Sequence, residues 1–131
     1  MIYVLDASAA FEVAFNLPNA PLYKETIAHA EKIIAPHFFI NEVTNVLSKY
    51  VRGGYLDEET AQQTLALILQ YVDDFADSTD NAVESLHEAI RLSHPAYDMF
   101  YLTLARRKAA TLLTKDKVLK QLAESQGVCT L

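Results

Sequence analysis

Four acidic residues, Asp6, Glu42, Asp98 and Asp116, stand at positions where carboxylates can act together. Asp6 follows the apolar run Ile2-Tyr3-Val4-Leu5, and Asp116 lies two residues past Thr111-Leu112-Leu113-Thr114. Both runs read as buried strands, and open parallel sheets bind ligands beyond the carboxyl ends of their strands. Glu42 falls early in a helical pattern. At about 100° per residue it lies only some 40° from Val46, on the shoulder of the apolar stripe. Asp98 shares its side of a helix with Leu102, Ala105 and Ala109. A carboxylate aimed inward without a partner is costly. A basic partner would serve, yet no Lys or Arg is placed plainly inward beside either acid. A divalent cation is the other solution, since hard ions such as Mg²⁺ or Mn²⁺ prefer oxygen ligands. Each acid also has an ordinary reading: Asp98 and Asp116 as first-turn acids answering a helix dipole, and Asp6 as a turn residue.

The elements that position these acids follow from the hydrophobic pattern. Strands are expected at 2–5, 33–35, about 75–78, 111–114 and 128–130. Helices are expected at 9–15, 22–31, 38–52, 58–72, from Asn81 to near Leu92, 97–109, and from Asp116 to near Gly127. Gly53-Gly54 reads as a helix C-cap pair, Asp57 as an N-cap, and Asn81 with Glu84 as a capping box. Apolar strands separated by helices predict a three-layer α/β/α fold around a central, mostly parallel sheet of four to five short strands. Over 131 residues this is one domain, 1–131, without repeats, linkers or low-complexity tracts.

Composition narrows the function. Hydrophobic residues make up 51% and charged residues 21%, which is globular composition. The single Cys129 excludes a disulfide framework and is expected to be a small buried residue. Three glycines leave no P-loop or dinucleotide fingerprint, and no Gly-x-Ser-x-Gly elbow is present. No apolar run approaches a membrane span and no basic leader precedes the first strand, so a cytoplasmic protein is expected. His29, His37, His87 and His94 are scattered and read as surface or core residues. The net charge of −6 is uneven. Nine acids and no bases fall between Gly53 and Ile90, while Arg106, Arg107, Lys108, Lys115, Lys117 and Lys120 supply six of the eleven basic residues.

At the four acids the sequence resembles a PIN domain, specifically the VapC-like toxin ribonucleases of toxin–antitoxin pairs. The matching stretches are Ile2-Tyr3-Val4-Leu5-Asp6-Ala7-Ser8, Asn41-Glu42-Val43-Thr44-Asn45-Val46-Leu47, Tyr97-Asp98-Met99-Phe100-Tyr101-Leu102-Thr103-Leu104-Ala105 and Leu112-Leu113-Thr114-Lys115-Asp116. Their order and spacing span essentially the whole chain. The resemblance implies that Asp6, Glu42, Asp98 and Asp116 coordinate one or two Mg²⁺ or Mn²⁺ ions, with Ser8 and Thr114 in support. It also implies hydrolysis of RNA phosphodiesters, a homodimer, and a cognate antitoxin that blocks the acidic site. Arg106, Arg107, Lys115, Lys117 and Lys120 are the expected contacts to the RNA backbone. The helix at 58–72 is the expected source of apolar docking surface. His94-Pro95 departs from the family pattern and is expected to shape the rim. A haloacid-dehalogenase phosphatase would need a second Asp where Ser8 stands, and a receiver domain would need an acidic pair at the first strand end. The competing expectation is a PIN-fold RNA- or protein-binding module with little catalysis.

Overall fold

The computed structural model describes residues 1–131. Its elements run β1 Ile2–Leu5, α1 Ala7–Ala14, α2 Ala20–His29, β2 Lys32–Pro36, α3 Phe38–Arg52 and α4 Glu58–Gln70. They continue with β3 Asp74–Ala76, α5 Ala82–Leu92, α6 Ala96–Arg107, β4 Thr111–Leu113 and α7 Lys117–Ser125. The four strands are all parallel in the order β3-β2-β1-β4. Val4 is level with Ile34 on one side and Leu112 on the other. The fold is the three-layer α/β/α arrangement, with seven helices about a four-stranded sheet.

Strand burial explains the topology. Val4, Leu5, Ile33, Ile34, Leu112 and Leu113 are all buried, so alternate residues are covered from both faces and only parallel crossovers supply that cover. α6 lies against β1, β2 and β4 with α5 packed on it, while α1 packs with α2, α3 and α4. Helix ends largely follow the expected caps. Asp57 accepts a bond of 2.6 Å from the Thr60 N–H, and Gly54 takes φ +80 where α3 ends at its glycine pair.

Three expectations change. The strand at 128–130 contracts to one isolated bridge between Leu112 and Thr130, because the Val128 N–H turns back to Ala123 O in closing α7. Cys129 is exposed, since buried Val128 takes the inward direction and its neighbour in extended chain points out. Asn81 makes no side-chain cap to α5. It is buried instead, donating to Thr103 Oγ1 at 2.9 Å and Phe100 O at 3.2 Å, and Ser85 meets Thr103 at 2.9 Å. The α5–α6 contact is therefore polar at its centre. The opposed charge blocks of the sequence meet here too: Glu84 pairs with Arg106 and Arg107, and buried Glu88 with Arg91 and Arg106.

Candidate functional site

The order of the chain reverses across β1: β2 and β3 lie to one side and β4 to the other. The carboxyl ends of β1 and β4 therefore flank a topological switch point, where a crevice opens because the following helices diverge. Asp6 occupies that end of β1, and its backbone N–H bonds Leu113 O at 3.1 Å. Its side chain is only 6% exposed, and hydroxyls hold both oxygens. Oδ1 accepts from Ser8 Oγ at 2.6 Å and from the Ala9 N–H at 2.9 Å, capping α1, while Thr114 Oγ1 donates to Oδ2. Thr114 also accepts from the Asp116 N–H at 3.0 Å, and Ser8 from the Lys115 N–H at 2.8 Å. Ser8 and Thr114 thus tie the start of α1 to the loop carrying Asp116.

Glu42 reaches the same neighbourhood from the second turn of α3, half-buried, and accepts the Tyr101 hydroxyl at 2.7 Å. Tyr101 stands one turn after Asp98 on α6 and is 2% exposed. Burial first, then the charges of Glu42, Asp6 and Asp98, hold its hydroxyl protonated far above the ordinary range. Tyr101 thus touches Glu42 and lies within electrostatic reach of Asp6 and Asp98, acids carried by three separate segments of the chain. The carboxylates also feel one another. Burial pushes Asp6 up to about 6 against the pull of its hydrogen bonds, and the Glu42 charge adds to the rise. Burial likewise raises Glu42, opposed by the Tyr101 bond and reinforced by Asp98.

Asp98 sits in the first turn of α6 with its Oδ2 2.6 Å from His94 Nε2. His94, expected as a rim residue, is instead a direct partner of one of the four acids, and its side chain is only 16% exposed. The connection fixes it: Ser93 is left-handed at φ 50 and the His94 N–H bonds Ala89 O. Asp116 is exposed and caps α7, its Oδ1 accepting from Val118 and Leu119 N–H groups at 2.9 and 3.1 Å. Its link to Asp6 runs through Thr114. A hard divalent cation fits the chemistry of this donor set, all oxygens with no Lys or Arg paired to any of the acids, and its charge would relieve the mutual repulsion. The acids do not stand at the spacing of a closed metal cage, however.

Tyr101 and His94 are the site residues that sequence reasoning missed. Tyr101 follows Asp98 by one turn of α6, and His94 precedes it by four residues, ahead of the helix start at Ala96; those spacings were the signal available. Of the expected RNA contacts, Lys115 and Lys117 are exposed and Lys120 half-buried beside Asp116, whereas Arg106 and Arg107 turn to Glu84. A cavity of about 580 Å³ lies elsewhere, bordered by the Lys32–Asp74 pair, Asn81, Arg107 and Lys108, and touches none of the four acids.

A parallel α/β sheet whose switch point gathers acids from β1, α3 and α6 defines a class of acidic-site α/β proteins. The PIN domain profile matches residues 3–125, and the chain belongs to the PIN domain family. Among solved structures it is similar to PAE2754 from Pyrobaculum aerophilum, with 28% identity and a TM-score of 0.78 over 99% of this chain and 89% of that one. It is also similar to VapBC2 from Rickettsia felis bound to a DNA fragment from their promoter, at 18% identity and TM-score 0.73, covering 100% of this chain and 98% of that one. VapBC-1 from nontypeable Haemophilus influenzae gives 14% identity and TM-score 0.70, with coverage of 100% and 97%. No curated protein matches the chain by sequence. No helix is long and apolar enough to cross a membrane.

Proposed function

We propose that this chain is a divalent-metal-dependent endoribonuclease, the cytoplasmic toxin of a toxin–antitoxin pair, acting as a homodimer and restrained by a cognate antitoxin. The observation that carries the reading is buried Tyr101, whose hydroxyl donates to Glu42 at 2.7 Å within electrostatic reach of Asp6 and Asp98, with no Lys or Arg paired to any of these acids. Groups held at that electrostatic cost are characteristic of functional sites.

In this reading Asp6, Glu42, Asp98 and Asp116 hold one or two Mg²⁺ or Mn²⁺ ions. A bound ion of this kind supplies an activated water and neutralises charge at the phosphoryl oxygens. The chain's own residues do the rest. Ser8 and Thr114 fix both oxygens of Asp6, Tyr101 orients Glu42, and His94 holds Asp98. Lys115, Lys117 and Lys120 attract the RNA backbone toward Asp116. Arg106 and Arg107 are engaged with Glu84 and take a smaller part.

The test is cleavage of an RNA library by the purified chain with Mn²⁺, with Mg²⁺ and with EDTA, alongside Asp6→Asn and Asp98→Asn. Metal-dependent cleavage lost in both variants supports the reading. The competing binding module draws on two observations, the His94–Asp98 contact and the absence of three acids grouped closely enough to hold a metal. RNA binding without cleavage in any metal would favour it.

A further inference from the structure

The cavity of about 580 Å³ beside β2 and β3 touches none of the four acids and has no part in the chemistry above. Its volume is that of a small-molecule site. Ile2, Ile34 and Leu104 give it apolar walls, and half-buried Phe75 adds an aromatic ring. Polar groups stand at its two ends. At one end α6 runs out into Lys108, just ahead of the Thr111 that pairs with Tyr3, and Lys32 opens β2 level with Ile2. At the other end β3 leads into Asp77, Asp80 and Asn81. Lys32 is paired with Asp74, Arg107 with Glu84, and Asp77 is held by Thr79. Exposed Lys108 and exposed Asp80 are the charges left free, one at each end.

Asn81 is 4% exposed. Its Nδ2 gives both hydrogens to α6, one to Phe100 O at 3.2 Å and one to Thr103 Oγ1 at 2.9 Å. A backbone carbonyl can only accept, so the amide orientation is fixed and Oδ1 is the acceptor left over. That oxygen makes no cap to α5 and receives no bond from any other group of the protein. Since no side-chain polar atom is sealed away without a partner, Oδ1 opens to the cavity that Asn81 lines. An acceptor held rigidly between apolar walls favours a ligand that brings its own N–H donor.

We propose that this cavity binds a nucleoside 5′-monophosphate whose base carries an exocyclic amine, the amine donating to Asn81 Oδ1 and the phosphate meeting Lys108. The proposal stands apart from the nuclease reading and does not rest on it. Spacing selects the ligand class. Asn81 is tied to Thr103, and Lys108 lies five residues further along α6, about 8 Å of helix rise. An α-amino acid carries its charges on neighbouring atoms and cannot answer both ends. Inorganic phosphate reaches Lys108 and leaves Asn81 unmet. A nucleotide separates a donor edge from a phosphate by a flat body, and every base offers a face to aromatic and aliphatic side chains. Asp80 sets the orientation, because it stands beside Asn81, accepts a second base donor and repels phosphate from that end.

Titration calorimetry on the whole chain in EDTA, with AMP, GMP, CMP and UMP as probes, tests this. The chelator keeps metal from bridging phosphate to the four acids. At least one of the three amine-bearing nucleotides should bind one to one and about tenfold tighter than UMP. Lys108→Glu should weaken that binding about tenfold and keep the parent's thermal melt, since the side chain is exposed and unpaired. Should Lys108→Glu fold poorly, Lys108→Gln replaces it with a loss of severalfold. Asp6→Asn combined with Asp98→Asn should leave the affinity unchanged. Asn81 is kept in every variant because it also holds α6. No binding by any of the nucleotides, UMP or ribose 5-phosphate binding as tightly as the best of them, or affinity that survives the Lys108 variant overturns the proposal. So does binding that is lost in the Asp6 and Asp98 double variant, which would put the nucleotide at the acidic site. Cleavage is scored in separate reactions with metal, so a failed nuclease reading and a failed nucleotide site remain distinct.

Discussion

Asp6 is the residue on which folding and chemistry pull hardest against each other. Its folded carboxyl titrates near 6, above the 3.8 of an ordinary aspartate, so the folded state binds the proton more tightly than the unfolded chain. The resulting stability is present below pH 3.8 and is lost as pH rises through about 6. At 1.36 kcal/mol per unit the loss approaches about 3 kcal/mol. Metal-free protein should therefore melt several degrees higher at pH 5 than at pH 7.5. Asp6→Asn should melt above the parent at pH 7.5 and flatten that slope, and calorimetry across the two pH values checks both. Mn²⁺ should raise the parent's melting at pH 7.5 and leave Asp6→Asn unmoved. His94 holds Asp98 by a 2.6 Å contact, and were Asp98 a metal ligand, removing such a partner would typically cost 10–100-fold in metal affinity. His94→Ala should weaken Mn²⁺ binding about tenfold by titration calorimetry, with His94→Gln, which keeps a donor, recovering most of it. Asp116 has two duties that substitution separates. Asp116→Asn keeps an oxygen for the Val118 and Leu119 N–H groups and should melt like the parent, whereas Asp116→Ala should lose about 1 kcal/mol with the cap.

The helices and strands differ in how well their sequences announce them. β1, β2 and β4 were legible because a strand covered on both faces is a plain apolar run. Asp6 and Asp116 were legible because they sit where such runs stop. α3 showed its full extent, Phe38–Arg52, through its apolar period and its closing glycines. α5 was legible as a helix and misleading as a surface. Its Asn81–Glu84 pattern matches a capping box, yet tertiary partners on α6 claim both side chains, Thr103 for Asn81 and the two arginines for Glu84. Local spacing carries no record of such long-range bonds, and for the same reason Tyr101 was hidden until α3 brought Glu42 to it. The buried polar seam also makes α5–α6 packing fragile in a measurable way. Thr103→Val leaves Ser85 Oγ without its Thr103 partner and Asn81 with only Phe100 O, which should cost about 1–3 kcal/mol in urea unfolding. Adding Ser85→Ala to Thr103→Val should recover part of that loss, because both ends of the lost bond are then apolar. An unchanged midpoint for Thr103→Val would show that the seam is wet and compensated by solvent.

For the whole molecule, an acidic chain of net charge −6 must still hold a polyanion if the nuclease reading is right. Bulk charge opposes the encounter, so the approach depends on local potential at the mouth of the site. The fold splits the basic block of the sequence into two populations. Arg106 and Arg107 close the α5–α6 contact by pairing with Glu84, while Lys115, Lys117 and Lys120 carry no ion pair and sit on the loop and helix that Asp116 caps. Charge already spent within the protein releases few counterions when RNA binds; free charge releases more. Each phosphate contact on single-stranded RNA contributes about 0.7 to the slope of log affinity against log salt. Lys117→Gln with Lys120→Gln should therefore lower that slope by about 1.4 and leave the melting temperature within a degree or two. Arg106→Gln with Arg107→Gln should do the reverse, lowering stability by unpairing half-buried Glu84 while the slope hardly moves. Fluorescence anisotropy of a labelled RNA across a salt series, run in Ca²⁺ to favour binding over cleavage, reads both slopes. If the arginine pair controlled the slope and the lysines did not, the RNA would have to cross the α5–α6 side of the molecule, and the path past Asp116 would be wrong.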